Sequence, residues 1–208
     1  MRYLTFVLTM ATISLATAQT SLVSDGSSWS YYDNAQEPPD QGSITWHETS
    51  YDDNSWAQGD AQLGYGDNDE TTLINENTYT AYFRKTIQVS DPSIYGELVL
   101  NLTFDDGAVV YLNGVEVWRI NMPTGTISYS TFSSSSSGDN ALASKVVANT
   151  LVTGPNTIAV EVHQRSATSS DISFDFNLVA NDVGDVSIIR GPYLQKASPT
   201  SMTVKWRT

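Results

Sequence analysis

The sequence has no cysteine among its 208 residues, and it has only two histidines, His47 and His163. The absence of cysteine excludes disulfide scaffolds, thiolate zinc sites and cysteine nucleophiles. Two histidines cannot build a histidine-rich metal centre from this chain alone. The sequence also contains no P-loop, no HExxH motif and no nucleophile elbow, so it does not encode the catalytic sites that those motifs build.

Basic residues are scarce. Ten Lys and Arg residues stand against 23 Asp and Glu, which gives a net charge of −13 and an isoelectric point near 4.2. A chain this acidic repels phosphate backbones and anionic membrane surfaces, so we expect no nucleic-acid partner. Hydrophobic residues make up 40% of the chain, which is enough for a folded core. The length allows one ordinary domain, or one domain and a fragment.

Long apolar runs are lacking beyond the N-terminus, so we expect no membrane span. The one apolar run, Leu4–Leu15, follows the positive charge of Arg2 and precedes an A-x-A cleavage site, Ala16-Thr17-Ala18. This order predicts a signal peptide over 1–18, cleaved after Ala18; an amphipathic helix is the alternative. Export without cysteine suits a bacterial periplasm or exterior, so we expect a secreted or periplasmic protein.

Apolar and polar residues alternate through the middle of the chain, and the three-and-four spacing of a helix is missing. Leu98, Leu100 and Leu102, for example, share one face of a run whose other face is polar. Asn113-Gly114, between two β-rich runs, predicts a two-residue hairpin turn with positive φ at both positions. Short strands separated by such turns predict an all-β antiparallel jelly-roll sandwich. The predicted strands are 80–89, 97–104, 109–112, 115–118, 157–163 and 172–179.

A long connection, 120–142, contains no clear strand, and its segment Ser133–Ser137 is of low complexity. We interpret this stretch as a flexible loop, and loops of this length are often functional or mobile.

The alternating pattern ends near Asn181, which predicts a sandwich domain over 19–181 and a polar linker over 182–185. Two further strand-like runs follow, Val186–Ile189 and Met202–Arg207. Two strands cannot bury a core by themselves. We therefore expect 186–208 to be the beginning of a second domain that this sequence truncates.

Motifs that occur in order over roughly 20–181 resemble the galactose-binding-like jelly rolls, and more closely an accessory domain common in exported bacterial multidomain proteins. The resemblance implies a β-sandwich that binds glycan or cell-surface polysaccharide. The motifs are Tyr51-Asp52-Asp53-Asn54-Ser55-Trp56, Tyr82-Phe83-Arg84-Lys85, Asp105–Gly114, Arg119–Pro123, Gly154–Val162, Glu161–Gln164 and Ser169–Phe174.

The tail carries a second resemblance. Arg190–Gln195 and Ser201–Thr208 look like the start of the fibronectin-III-like domain of purple acid phosphatases. That resemblance implies a C-terminal metallophosphoesterase domain in the same polypeptide. The metal-binding motifs of that family have no counterpart in this sequence, so we expect no catalytic residue here.

Aromatic side chains in loops are candidate sugar platforms, because a flat ring stacks on the apolar face of a pyranose. Trp46 and Tyr65 are the candidates for surface binding, with buried packing as the alternative. Trp56 is predicted to pack under the edge of the sandwich.

A polar cluster is the second candidate site. It consists of residues at predicted strand ends or at the start of the long loop, namely Arg119, Asn121, His163, Gln164 and Asp171. These five could surround one small ligand at one end of the sandwich. The alternative is a structural hydrogen-bond network that pins the long loop.

The resemblance also implies a structural calcium ion, because galactose-binding-like domains often carry one near a loop. Calcium needs about six to eight hard oxygen ligands. Asp67, Asp69 and Glu70 supply several such oxygens, although they do not fit an EF-hand. A solvated acidic turn is the alternative.

These observations together predict a secreted, non-catalytic carbohydrate-binding-like module, the N-terminal part of a purple acid phosphatase-like protein. A structural or adhesive sandwich without a small ligand is one alternative. An enzyme whose N-terminal third or less is this chain is the other. Asp105 and Asp106 lie in a predicted turn, which explains them without catalysis.

Overall fold

A computed structural model describes residues 18–183 together with 193–198 and 201–205. Residues Gln19–Val183 form one compact unit. The predicted signal peptide, except for Ala18, and the predicted strand Val186–Ile189 lie outside the described residues. Among the described residues, no helix is long and apolar enough to cross a membrane.

The unit is an all-β sandwich of two six-stranded sheets. The first sheet has the order β10-β7-β12-β4-β5, with β1 also paired to β12; the second has the order β3-β2-β6-β11-β8-β9. The pairings are antiparallel except for β4 with β5. The strands are β1 (Gln19–Val23), β2 (Ser28–Tyr32), β3 (Ala57–Asp60), β4 (Leu63–Tyr65), β5 (Thr72–Leu73), β6 (Thr80–Val89), β7 (Tyr95–Asp105), β8 (Gly107–Leu112), β9 (Val115–Ile120), β10 (Ala141–Ala148), β11 (Gly154–His163) and β12 (Ile172–Asp182), and one 3₁₀ turn spans Pro92–Ile94.

The core lies between the two sheets and follows the predicted alternation. The alternate apolar residues of β7 and β12, from Leu98 to Phe104 and from Ile172 to Leu178, are all buried. Phe83 of β6 stacks on Phe174 of β12 with ring centroids 3.9 Å apart. Because a strand turns successive side chains to opposite faces, the period-two pattern was sufficient to identify the inward residues, and this part of the prediction is confirmed.

The turn between β8 and β9 is also as predicted. Asn113 has φ of 52° and Gly114 has φ of 83°. Positive φ at both central residues suits the right-handed twist of a tight hairpin.

A second, smaller aromatic cluster covers the outer face of the second sheet. Residues 33–56, which we call the roof, lie across this face and bury Trp46, Tyr51 and Trp56 against Tyr82. Arg84 of β6 holds the roof, because its buried guanidinium donates to the backbone carbonyls of Trp46, Glu48 and Tyr51. The burial of Trp56 agrees with its predicted packing.

A separate antiparallel hairpin pairs β13 (Tyr193–Ser198) with β14 (Ser201–Lys205). The predicted strand 202–207 overlaps β14. Strand β13 was not predicted, because the sequence interpretation treated 191–199 as a break between strands.

Candidate functional site

One end of the sandwich carries the long loops. Strands β7, β9 and β11 end there, and β6, β8, β10 and β12 begin there. The connections 66–79, 121–140 and 164–171 all leave from this end, which we call the loop rim. The five residues of the predicted polar cluster lie at or near the loop rim.

His163, the last residue of β11, is fully buried and fixes the long loop to the sheet. Its Nδ1 atom lies 2.8 Å from the carbonyl oxygen of Thr131 and 2.9 Å from the hydroxyl oxygen of Thr80. Its Nε2 atom lies 3.2 Å from a carboxylate oxygen of Glu161. The imidazole is therefore bonded to the protein through Nδ1 and does not face solvent, whereas Nε2 lies near Glu161 without a hydrogen-bond partner among the described residues.

Asn121 and Gln164 make further contacts with the same loop. The Asn121 amide donates to the carbonyl of Asp106 at 2.9 Å. The carbonyl of Gln164 accepts a hydrogen bond from the Ser133 N–H at 3.0 Å, and the Gln164 side chain donates to the hydroxyl of Tyr65. The start of the long loop is thus bonded to the β7–β8 turn, and its middle is bonded to the residue that follows β11.

Arg119 and Asp171 do not face a common ligand with these residues. Arg119 is ion-paired with Glu116 at 2.6 Å and donates to the carbonyl of Gly125 at 3.1 Å. Asp171 belongs to a group of carboxylates described below. The contacts of Arg119, Asn121 and His163 therefore favour the structural interpretation of the polar cluster over a shared ligand.

The predicted aromatic platforms need correction. Trp46 and Tyr65 are each only 4% exposed, so neither ring can stack on a sugar in this structure. Trp46 belongs to the roof and packs against Tyr82 of the second sheet. Tyr65 belongs to the main core, and burial raises the pKa of its hydroxyl to about 12.

An open polar recess of about 200 Å³ lies at the loop rim. Gln164 forms part of its wall, together with residues from the 66–79 loop and the 164–171 loop. We call it the rim recess, and its lining residues are Glu76, Asn77, Thr78, Tyr79, Gln164, Ala167 and Ser169. Sequence reasoning identified only Gln164 of this set.

Three half-exposed aromatic side chains meet beside the rim recess. The ring of Tyr79 stacks on Tyr129 with centroids 5.7 Å apart and contacts Phe132 at 5.6 Å. The hydroxyl of Tyr129 accepts a hydrogen bond from the Tyr79 N–H, and its carbonyl accepts one from Thr80. These contacts hold the rings in place. Sequence reasoning missed them, although two aromatic residues inside a Ser/Thr-rich loop were a usable signal.

A group of carboxylates lies elsewhere at the loop rim. Side-chain oxygens of Asp67, Asp139 and Asp171 lie within 4.8 Å of one another, as do those of Asp67, Asp69 and Glu70. Burial, partly offset by a hydrogen bond from Ser173, raises the pKa of Asp67, and the neighbouring carboxylates add to the effect. Such a set of hard oxygens fits a calcium ion. The sequence indicated the second group but not the participation of Asp139 and Asp171.

Asp105 and Asp106 hold the distal part of the long loop. Asp105 is 3% exposed and accepts a hydrogen bond from the Ser137 hydroxyl at 2.8 Å. Burial is the main cause that raises the pKa of Asp105 to about 8, and adjacent carboxyl groups contribute. Asp106 accepts from the N–H groups of Ser137 and Arg165. These hydrogen bonds give both carboxylates a structural role in holding the loop.

The chain matches no protein-family model and no curated protein. Solved structures with a similar fold include a β-glucuronidase from an uncultured Clostridium species, at a TM-score of 0.51 and 14% identity over 91% of this chain. Another is a β-glucuronidase from Bacteroides uniformis, at a TM-score of 0.50 and 15% identity over 79% of this chain. The chain spans 32% of the first protein and 18% of the second. At these identities the likeness shows the β-sandwich fold.

Proposed function

We propose that Gln19–Val183 is a non-catalytic carbohydrate-binding module that takes a sugar residue at the rim recess. The observation that carries the proposal is the meeting of a polar recess with fixed, half-exposed aromatic rings. Sugar sites need these two parts, because rings pack on the apolar face of a pyranose while amides and hydroxyls bond its hydroxyl groups.

The chemistry of the lining suits hydroxyl recognition. Asn77 and Gln164 carry amides, Thr78 and Ser169 carry hydroxyls, and Tyr79 contributes one of the three rings. The volume of about 200 Å³ is below the 300–1,000 Å³ that is typical of pockets for drug-sized ligands. We therefore expect a single sugar unit, such as a chain end or a branch, to occupy the recess.

The lining also argues for binding without hydrolysis. A glycosidase needs two carboxyl groups about 5–9 Å apart on either side of the scissile bond, and the lining of the rim recess includes one, Glu76. The protein would then serve a catalytic neighbour or a surface by holding glycan.

The wider setting is part of the proposal. The fold neighbours are named as β-glucuronidases, which agrees with a carbohydrate-related role. We further propose export to a bacterial periplasm or exterior after cleavage behind Ala18, an independently folding unit over Gln19–Val183, and a structural calcium ion at the carboxylate group. The resemblance of the tail to a purple acid phosphatase remains a prediction from the sequence, which the fold neighbours named above do not support.

Binding of the chain to glycan arrays and to polysaccharide affinity gels tests the proposal. Asn77→Ala and Tyr79→Ala should abolish retention, whereas Tyr79→Phe should retain it because the ring remains. Asn54→Ala is the matched control, since Asn54 is exposed and lies in the roof, outside the recess lining. Thermal melting should show that each variant is folded.

A structural or adhesive module without a small ligand is the competing function. It is favoured by the loop-pinning contacts of His163 and Asn121. A folded chain that no glycan retains, or retention that survives both Asn77→Ala and Tyr79→Ala, would reject the rim recess and leave this alternative.

A further inference from the structure

We infer that the rim recess selects uncharged and amino sugars and discriminates against uronic acids and other anionic sugars. The inference rests on the proposed function, and it assigns the class of sugar from the charges around the site.

The charge of the recess lining is negative. Six of the seven lining residues are neutral, and the seventh is Glu76. An anionic substituent that enters the recess therefore meets a carboxylate without a compensating cation. An ammonium group at the same position is attracted by Glu76. Glu76 is solvent-exposed, so each effect is moderate and is screened by salt.

Negative charge also acts on groups next to the lining of the recess. The hydroxyl of Tyr65 is bonded to two lining residues, to the side chain of Gln164 and, at 3.4 Å, to the carbonyl of Thr78. After burial, the two largest contributions that raise the pKa of this hydroxyl are the charges of Asp171 and Glu76. Both carboxylates thus lie close enough to act on a hydroxyl that is bonded to the lining.

Within the described part of the chain, cationic side chains are absent from the lining of the recess. Residues 18–183 contain five basic residues, Arg84, Lys85, Arg119, Lys145 and Arg165. Recognition of a carboxylate or phosphate commonly uses an arginine in bidentate geometry, and none of the five is a lining residue of the recess. The two that lie at the loop rim, Arg119 and Arg165, bind other groups of the protein.

The engagement of those two arginines is specific. Arg119 is paired with Glu116. Arg165 follows Gln164 directly in sequence, but its guanidinium donates to the carbonyl of Ser133 in the long loop at 3.2 Å. The recess consequently has hydroxyl-binding groups without the cation that would fix an anionic sugar.

The test compares matched sugars on the 208-residue chain. Oligosaccharides of glucose, glucosamine and glucuronic acid with the same linkage, and the corresponding galactose series, are titrated by calorimetry at low and at high salt. We expect the uronic acid of each series to bind about two- to fivefold more weakly than the neutral sugar, a difference of about 0.4–1 kcal/mol. The amino sugar should bind as well as or better than the neutral sugar, and salt should reduce both differences.

A charge variant gives the decisive comparison. Glu76→Gln should narrow the difference in affinity between neutral and anionic sugars, because it removes the carboxylate that repels the anion. Glu97→Gln removes one exposed carboxylate at the opposite end of the sandwich and should leave that difference unchanged.

The possible failures are distinguishable. If no sugar of any charge binds, the proposed function fails. If neutral sugars bind and the uronic acids bind equally well or more tightly, the proposed function stands and this inference is overturned. If Glu97→Gln narrows the difference in affinity between neutral and anionic sugars as much as Glu76→Gln does, the difference arises from net charge alone. That result would also overturn the inference.

Discussion

Two tyrosines on the outer face of the second sheet lie in the field of the same buried carboxylate but have different partners. Tyr111 donates to Glu161 at 2.8 Å. The hydroxyl of Tyr82 is buried and has no hydrogen-bond partner among the described residues. The contribution of a buried hydroxyl to stability depends on its having a hydrogen-bond partner, because a buried polar group without a partner destabilises the fold.

Phenylalanine substitutions should therefore separate the two residues. Tyr111→Phe removes a bond to a charged group and should lower the free energy of unfolding by about 1.5–3 kcal/mol. Tyr82→Phe should be neutral or stabilising, because it removes an unsatisfied hydroxyl and keeps the ring. Urea denaturation of both variants measures the difference, and a larger loss for Tyr82→Phe than for Tyr111→Phe would contradict the contacts described here.

The raised pKa of Asp105 predicts that the stability of the protein depends on pH. Its pKa of about 8 in the folded protein is above its ordinary value of 3.8, so between these values the folded chain binds more protons than the unfolded one. The free energy of unfolding then falls as pH rises through this window and levels off above it.

Asp105→Asn should weaken that fall, because the amide does not titrate. Denaturation from pH 4 to pH 9 in the presence of a chelator measures it, with Glu97→Gln as the control for a change of net charge. If the free energy of unfolding of Asp105→Asn falls with pH as steeply as that of the wild type, other groups cause the fall.

At the scale of the element, the hairpin turn offers a sharp test. Gly114 has φ of +83°, and a Cβ there would lie 3.4 Å from the Cγ of Glu48. Gly114→Val should lower stability by about 1–3 kcal/mol, because a β-branched residue is strained in this region. Gly138 has no atom within 4 Å of its Cβ position and its φ is not in the left-handed range, so Gly138→Val is the matched control in a thermal melt. Equal melting temperatures for the two variants would contradict the assignment.

Two of the predicted strands, β7 and β12, lie inside the first sheet and have one buried and one wetter face, alternating over 98–104 and over 174–180. The predicted strand β11 is buried on both faces from Asn156 onward, and its alternation of residue types still identified it. β10 was missed because it is an edge strand whose Leu142 and Val146 are exposed, so its apolar residues mark no inward face. β4 was missed because its three residues are too few to show an alternating pattern.

The candidate site was less predictable, for a physical reason. The end of β11 determines at which end of the sandwich His163 and Gln164 lie, and the alternating pattern predicts where that strand ends. The positions of Glu76, Asn77 and Tyr129 depend on loop conformations, which are set by contacts such as the bond between Tyr79 and Tyr129. Local sequence does not contain those long-range contacts.

At the scale of the whole molecule, the loop rim gathers carboxylates from distant parts of the chain. Asp67, Asp139 and Asp171 come from three different loops and converge within 4.8 Å. Like charges at this spacing repel one another, and the chain already carries a net charge of −13. A cation that binds all three would link the loops and remove the repulsion.

Calcium should therefore stabilise the folded chain. A ligand that binds only the folded state adds about 2.7 kcal/mol at a hundredfold excess over its dissociation constant. We expect the melting temperature to rise with added Ca²⁺ and to return to its starting value with a chelator. Mg²⁺ should act less, because it needs a smaller, near-octahedral site.

The matched variants for this prediction are Asp67→Asn and Glu97→Gln. Asp67 belongs to both groups of carboxylates, so its replacement should abolish the response to Ca²⁺. Glu97 lies at the opposite end of β7 from the loop rim, so its replacement should leave the response intact. Asp139 lies in the long loop that also carries Tyr129, so Ca²⁺ should slow the amide exchange of residues 121–140. A melting temperature indifferent to Ca²⁺ in the wild-type chain would show that these carboxylates form a solvated acidic turn.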